Sequence, residues 1–149
     1  MFVSPIRIND NFTSQLRNME SLSPNIFVKD INETISFYKL LGFNTIVSVP
    51  ENGDGLVWAM MMKGNVTMMF QTIESLGDTL PQISRNGGGS LLLYIKLSGI
   101  RAFFDEIKDN VTVLTKLEKT FYGATEFSIV DNNNYVLTFA EDEPENDKV

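Results

Sequence analysis

The chain has 149 residues, 43% of them hydrophobic and 21% charged, with 19 acidic against 12 basic side chains and a formal net charge of −7. That length suits one domain, or two very small ones around a common core, and the acidic balance argues against nucleic acid as a partner. Neither Cys nor His occurs, which removes disulfides, thiolate nucleophiles, imidazole metal ligands and all Ser-His-Asp or Cys-His catalysis.

Residues 1–22 read as an N-terminal extension. Arg7, Asp10, Arg17 and Glu20 interrupt its apolar residues, unlike the continuous apolar core of a secretory signal. No apolar stretch approaches the roughly 18 residues needed to cross a bilayer. The expected location is cytoplasmic, with no membrane contact.

Asn25 to Lys29 reads as a short strand. Asp30 or Asn32 can cap a helix over about 33–41, and Gly42 stands where a left-handed helix stop belongs. Phe43 to Val49 is rich in β-branched residues and predicts a strand. Residues 50–55 predict a turn, and Leu56–Met62 and Val66–Gln71 predict a hairpin around Lys63-Gly64-Asn65. A connector over 72–89 follows, with one helical turn at 74–76. Its Gly87-Gly88-Gly89 run lacks a following Lys-Ser/Thr pair and reads as a hinge rather than a phosphate cradle.

The pattern then restarts. Leu91–Leu97 predicts a strand, and Ser98 can cap a helix whose Ile100, Phe103, Phe104 and Ile107 form an amphipathic stripe. Val111–Leu117, Thr125–Val130 and Tyr135–Phe139 predict three more strands. The tail from Glu141 to Glu145 is expected to be a frayed, solvated end. The order is β-α-β-β-β twice. The halves align weakly: Ile26-Phe27-Val28-Lys29 with Leu93-Tyr94-Ile95-Lys96 at an offset of 67, and Asn65–Met68 with Tyr135–Thr138 at an offset of 70. The predicted class is α+β, with modules over about 23–71 and 90–141 and an acidic tail over 142–149.

Alternation along each strand assigns faces. Leu93 and Ile95 should pack under the second helix while Leu92, Tyr94 and Lys96 face inward. Ile26 and Val28 should meet the first helix while Asn25 and Phe27 face inward. The inward sets of the fourth and eighth strands are expected to be Val66, Met68, Phe70 and Val136, Thr138.

The segments Pro24–Asp30, Phe37–Phe43 and Tyr122–Tyr135 resemble the vicinal oxygen chelate superfamily of glyoxalases, extradiol dioxygenases and bleomycin resistance proteins. The resemblance covers Ser23 to Glu141, although Asn132, Asn133 and Asn134 follow Asp131 where the family has a Pro and a Gly. It implies a cup-shaped, half-open β-barrel with the helices on its convex side. Metal-using members place a His or Glu at positions that here are Ser23, Met68, Leu92 and Thr138. None of these is a competent ligand for a divalent cation, so neither metal nor other cofactor is expected.

The implied lining is Phe27, Trp58, Met60, Met62, Met68, Phe70, Tyr94 and Thr138, an apolar and polarizable surface suited to a flat ligand. Each could equally be ordinary core. Tyr122 can close the mouth of the cup or pack as a loop aromatic. Glu126 can act as a base or hold a cationic group, or be a solvated strand residue. The leading expectation is a binding protein like the metal-free bleomycin-resistance members, taking an apolar or aromatic ligand in a homodimer. The alternative is a His-free lyase or isomerase using Glu126 or a Tyr, or holding its metal through unaligned acids.

Overall fold

The computed structural model describes residues 18–51 and 53–145. Residues 1–17 of the expected extension and 146–149 of the expected tail lie outside the described residues.

The elements are β1 (Asn25–Val28), α1 (Ile31–Leu40), β2 (Asn44–Val49), β3 (Trp58–Lys63), β4 (Val66–Thr72), a 3-10 turn at Glu74–Leu76, β5 (Leu92–Lys96), α2 (Ile100–Ile107), β6 (Thr112–Lys119), β7 (Ala124–Val130) and β8 (Val136–Asp142). They form two four-stranded mixed sheets, ordered β1-β4-β3-β2 and β5-β8-β7-β6. The architecture is α+β, two tandem βαβββ modules, and the sheets do not close into a barrel.

Local chemistry explains the first module. The Asp30 side chain accepts the Glu33 amide at 2.8 Å and so satisfies one of the free donors at the start of α1. Gly42 takes φ +92°, where an L side chain would be strained and an added Cβ would also meet the Lys63 side chain. The second module departs from expectation at α2. Ser98 does not cap it; Gly99 is the N-cap residue, and the Glu141 carboxylate binds the amides of Gly99 and Ile100, each at 2.9 Å. The acceptor comes from 41 or more residues away, so local sequence gives no sign of it.

The same contact corrects the picture of the acidic end. β8 runs to Asp142, and the Glu143 side chain is buried against Thr125 and Arg101. Glu141, Asp142 and Glu143 are built into the module and are not frayed.

One core joins the modules. Residues from both helices and from the helix-bearing faces of both sheets share a single apolar cluster, including Tyr38, Met61, Phe70, Phe103, Phe127 and Leu137. The hairpin of each module reaches the helix of the other. Lys63 Nζ, at the end of β3, lies 4.5 Å from the centre of the Phe103 ring in α2. In α1, Tyr38 donates to Asp131 and Thr34 accepts from Asn133, both in the β7–β8 turn.

The repeat is also more regular than the sequence alignment implies. Asn25 pairs with Met69 and Leu92 with Val136, so the parallel partner lies 44 residues further on in both modules. With β1 and β5 equivalent at an offset of 67, β4 and β8 are equivalent at 67 too. The expected drift to 70 is thereby overturned, and the counterpart of Thr138 is Gln71 rather than Met68.

Candidate ligand-binding site

Each sheet has one face in the shared core and one face outside it. In the first sheet, Trp58 stands beside Gln71, Met60 beside Met69 and Met62 beside Thr67, while Asn25 and Phe27 stand beside Met69 and Gln71 in β1. Trp58, Met60, Met62, Met69 and Phe27 are half-buried and belong neither to the core cluster nor to the residues packed against it. The bulged edge strand β2 adds Val47 and Val49, about half exposed. The result is an apolar, Met-rich face with no helix or strand of the described residues over it.

Two expected lining residues are not there. Met68 and Phe70 are fully buried on the opposite face, where the Phe70 ring lies 4.6 Å from Tyr38. The cause is the hairpin. A three-residue turn at 63–65 would set Met60 opposite Met68, but the turn uses only Gly64 and Asn65, and Lys63 pairs with Val66. Gly64 supplies the positive φ, +56°, that so short a turn needs. A slip of one residue turns every side chain of the strand to the other face. Met69 and Gln71 therefore occupy the places expected for Met68 and Phe70.

The open face of the second sheet carries the other candidates. Leu92, Tyr94 and Lys96 line β5, paired with Val136, Thr138 and Ala140 of β8, and Glu126 and Ser128 stand beside Ala140 and Thr138. Tyr94 donates its hydroxyl to Glu126 Oε1 at 2.6 Å, and Tyr122 donates to the same oxygen at 2.5 Å. That hydrogen bond, more than burial, pushes the Tyr94 hydroxyl up to about 12, and Tyr122 is raised for the same leading reason. Both phenols therefore keep their protons near neutrality. Ser128 and Thr138 share a hydrogen bond of 2.8 Å, and Lys96 is held by the Asp142 carboxylate at 2.9 Å.

The structure thus brings Phe27, Trp58 and Met60 together on one face and Tyr94, Tyr122, Glu126 and Thr138 together on another. The two groups stand on different sheets. Among the described residues, hollows form elsewhere. One of about 460 Å³ lies by Lys29, Asp30, Leu56, Thr72 and Glu74. Another of about 390 Å³ lies between the modules, against Leu41, Phe43, Ile95 and Phe103.

The residues where relatives would hold a metal do not suit one. Ser23, Leu92 and Thr138 offer two hydroxyls and an alkyl group, and the corrected fourth position, Gln71, already receives the Asn25 side-chain amide on its carbonyl oxygen at 3.0 Å. Among the described residues, no three His, Cys, Asp or Glu side chains gather where they could hold an ion. A hard divalent cation needs several anionic or strongly polar donors, which these four positions do not supply.

The family model of the Glyoxalase/Bleomycin resistance protein/Dioxygenase superfamily matches residues 21–139. The chain belongs to this superfamily. Similar solved structures of the superfamily include a glyoxalase/bleomycin resistance protein/dioxygenase from Nocardioides, with a TM-score of 0.70 and 12% identity, covering 91% of this chain and 92% of that one. A family enzyme from Burkholderia phytofirmans PsJN has a TM-score of 0.65 and 20% identity, covering 80% and 95%. TioX from Micromonospora sp. ML1 has a TM-score of 0.66 and 13% identity, covering 83% and 99%. At these identities the likeness carries the glyoxalase fold alone. No curated protein matches the chain. Among the described residues of this superfamily member, no helix is long and apolar enough to cross a membrane.

Proposed function

We propose that the protein is a cytoplasmic, non-catalytic binder of apolar or aromatic small molecules, working as a homodimer. In the dimer, the open face of the first sheet of one protomer stands opposite the open face of the second sheet of the other. The observation that carries this reading is the position of Trp58, Met60, Met69 and Phe27, large apolar side chains kept out of the core and left half-covered on a sheet face. Full burial from water is worth roughly 1.5–3 kcal/mol for such a side chain, and these, already half-covered, would gain part of that when something covers them.

A second copy is the favoured cover. The two half-sites lie on different sheets of one chain, and a twofold pairing brings complementary halves together twice. Trp and Met adapt to flat aromatic ligands, while Tyr94, Tyr122 and Glu126 supply the polar wall that fixes orientation. The donor set at the family's metal corners favours binding over metal-dependent chemistry.

Trp58 is the chain's one tryptophan, so its fluorescence reports on this face directly. Thermal-shift screening over flat aromatic compounds, followed by Trp58 titration, is expected to give both a raised melting temperature and saturable quenching for at least one compound. Stabilisation without any change at Trp58, or no stabilisation by any compound, overturns the proposed site.

A further inference from the structure

We infer that the ligand carries a positive charge on its apolar body, and that Glu126, flanked by Tyr94 and Tyr122, is its anchor. This rests on the binding role proposed above and names the chemistry of the ligand.

Four observations converge on Glu126. Both tyrosine hydroxyls bond to one oxygen, Oε1, and among the described residues no hydrogen bond reaches Oε2. Among the described residues the carboxylate pairs with no cation: Lys96, on the same face, is occupied by Asp142, and the other ion pairs are Arg101–Glu143 and Lys108–Asp105. Directly across from Glu126 in the β6–β7 ladder stands a second carboxylate, Glu118. Like charges opposite one another in a ladder are unfavourable, and among the described residues neither Glu118 nor Glu126 forms an ion pair. Finally, the walls are aromatic and accessible. Tyr94 and Tyr122 are 48% and 55% exposed, so their side chains are accessible to a cation.

The two phenols also orient the charge. By binding only Oε1 they turn the carboxylate so that Oε2 is the free acceptor. A protonated amine placed there would gain a charge-assisted hydrogen bond and relieve the repulsion between Glu126 and Glu118. A neutral hydroxyl could donate to Oε2 as well, but it would bring no positive charge to offset the two carboxylates. Lining by tyrosines rather than lysines also rejects carboxylate or phosphate ligands, which would face two acids without a free base.

The test uses matched pairs of benzyl-, naphthyl- and anthracenyl-methylamine and the corresponding alcohols, titrated into the full-length protein at pH 7 and read by calorimetry and by Trp58 fluorescence. The amine of at least one pair is expected to bind about tenfold more tightly than its alcohol, because its donor carries a positive charge opposite the carboxylate. In Glu126→Gln the preference of amine over alcohol should fall to within about twofold. Tyr94→Phe should keep most of the preference, because it leaves the carboxylate in place. Equal binding of amine and alcohol in the unmodified protein overturns the anchor but leaves the apolar site standing, as does a preference that survives in Glu126→Gln. If no member of any pair binds, the binding role and the anchor fall together.

Discussion

The hydroxyl of Tyr38, in the last turn of α1, donates to Asp131 Oδ2 in the β7–β8 turn at 2.8 Å, and this buried bond ties the first module to the second. Asp131 Oδ1 meanwhile accepts the amides of Asn133 and Tyr135 at 2.8 and 2.9 Å, which shapes the turn. The Tyr38 ring sits in edge-on contact with Phe37 and Phe43, so its position is fixed by packing and its hydroxyl has no water to fall back on.

Tyr38→Phe is therefore expected to lower stability by about 1–3 kcal/mol, the range for leaving a buried acceptor unpaired. Urea denaturation should show a lower midpoint with an unchanged slope, since the exposed surface does not change. Burial is the main influence on Asp131 and raises its carboxyl above the ordinary range. A raised carboxyl holds its proton more tightly in the folded state. Its contribution is thus most favourable below the ordinary carboxylate value and declines as pH rises through the raised one. Asp131→Asn should remove that part of the pH dependence.

Glu141 has the opposite sign. Its carboxyl is held below the usual range by the Ile100 and Gly99 amides at the start of α2. The stability it lends is present above the ordinary carboxylate value and is lost as pH falls through the lowered one. Glu141→Gln should consequently be less stable than the unmodified chain at pH 7, and the gap should close as the pH drops below about 4. Thermal melts of both proteins across pH 3–7 would check this; a gap that stays constant would refute the carboxylate's role.

Phe70 and Met60 distinguish the two faces of the first sheet. Phe70→Ala should cost about 3–5 kcal/mol, because it opens a cavity in the common core. Met60→Ala should cost less than about 1 kcal/mol in the isolated chain yet reduce the stabilisation given by an aromatic ligand. Denaturation with and without ligand separates the two effects. A Met60→Ala loss as large as that of Phe70→Ala would place Met60 in the core.

Arg85 pins the connector. Its guanidinium donates to the backbone carbonyls of Gly77, Thr79, Leu80 and Ile83, so a segment that reads as loop is folded on itself. Gly88 then passes so close to the Asn134 carbonyl that an added Cβ would lie 2.9 Å from it. Arg85→Ala should raise the rate of limited proteolysis within 77–86 while leaving the melting temperature nearly unchanged, since both sheets keep their cores.

The module order, both helices and the strand positions were legible because hydrophobic periodicity and turn residues act locally. Ile100, Phe103 and Ile107 are buried as their spacing requires, and Asp30 caps α1. What escaped depends on distant partners or on register. Glu141 reaches the start of α2 from another strand. Met68 and Met69 are equally apolar neighbours, so composition could not choose between them, and one residue of turn length decided which faces outward. Gly64-Asn65 was the available clue: a two-residue turn sets Trp58 beside Gln71. The division of the candidate site over two open faces is a matter of how the modules pack, which alternation within a strand does not encode.

The most direct test of the paired half-sites is the mass of the protein in solution, by sedimentation equilibrium from low to high micromolar concentration. The account predicts a species of two 16.8 kDa chains that dissociates when Trp58 is replaced by Asp, with the far-UV spectrum unchanged. A folded chain that remains a single 16.8 kDa species throughout that range would contradict it.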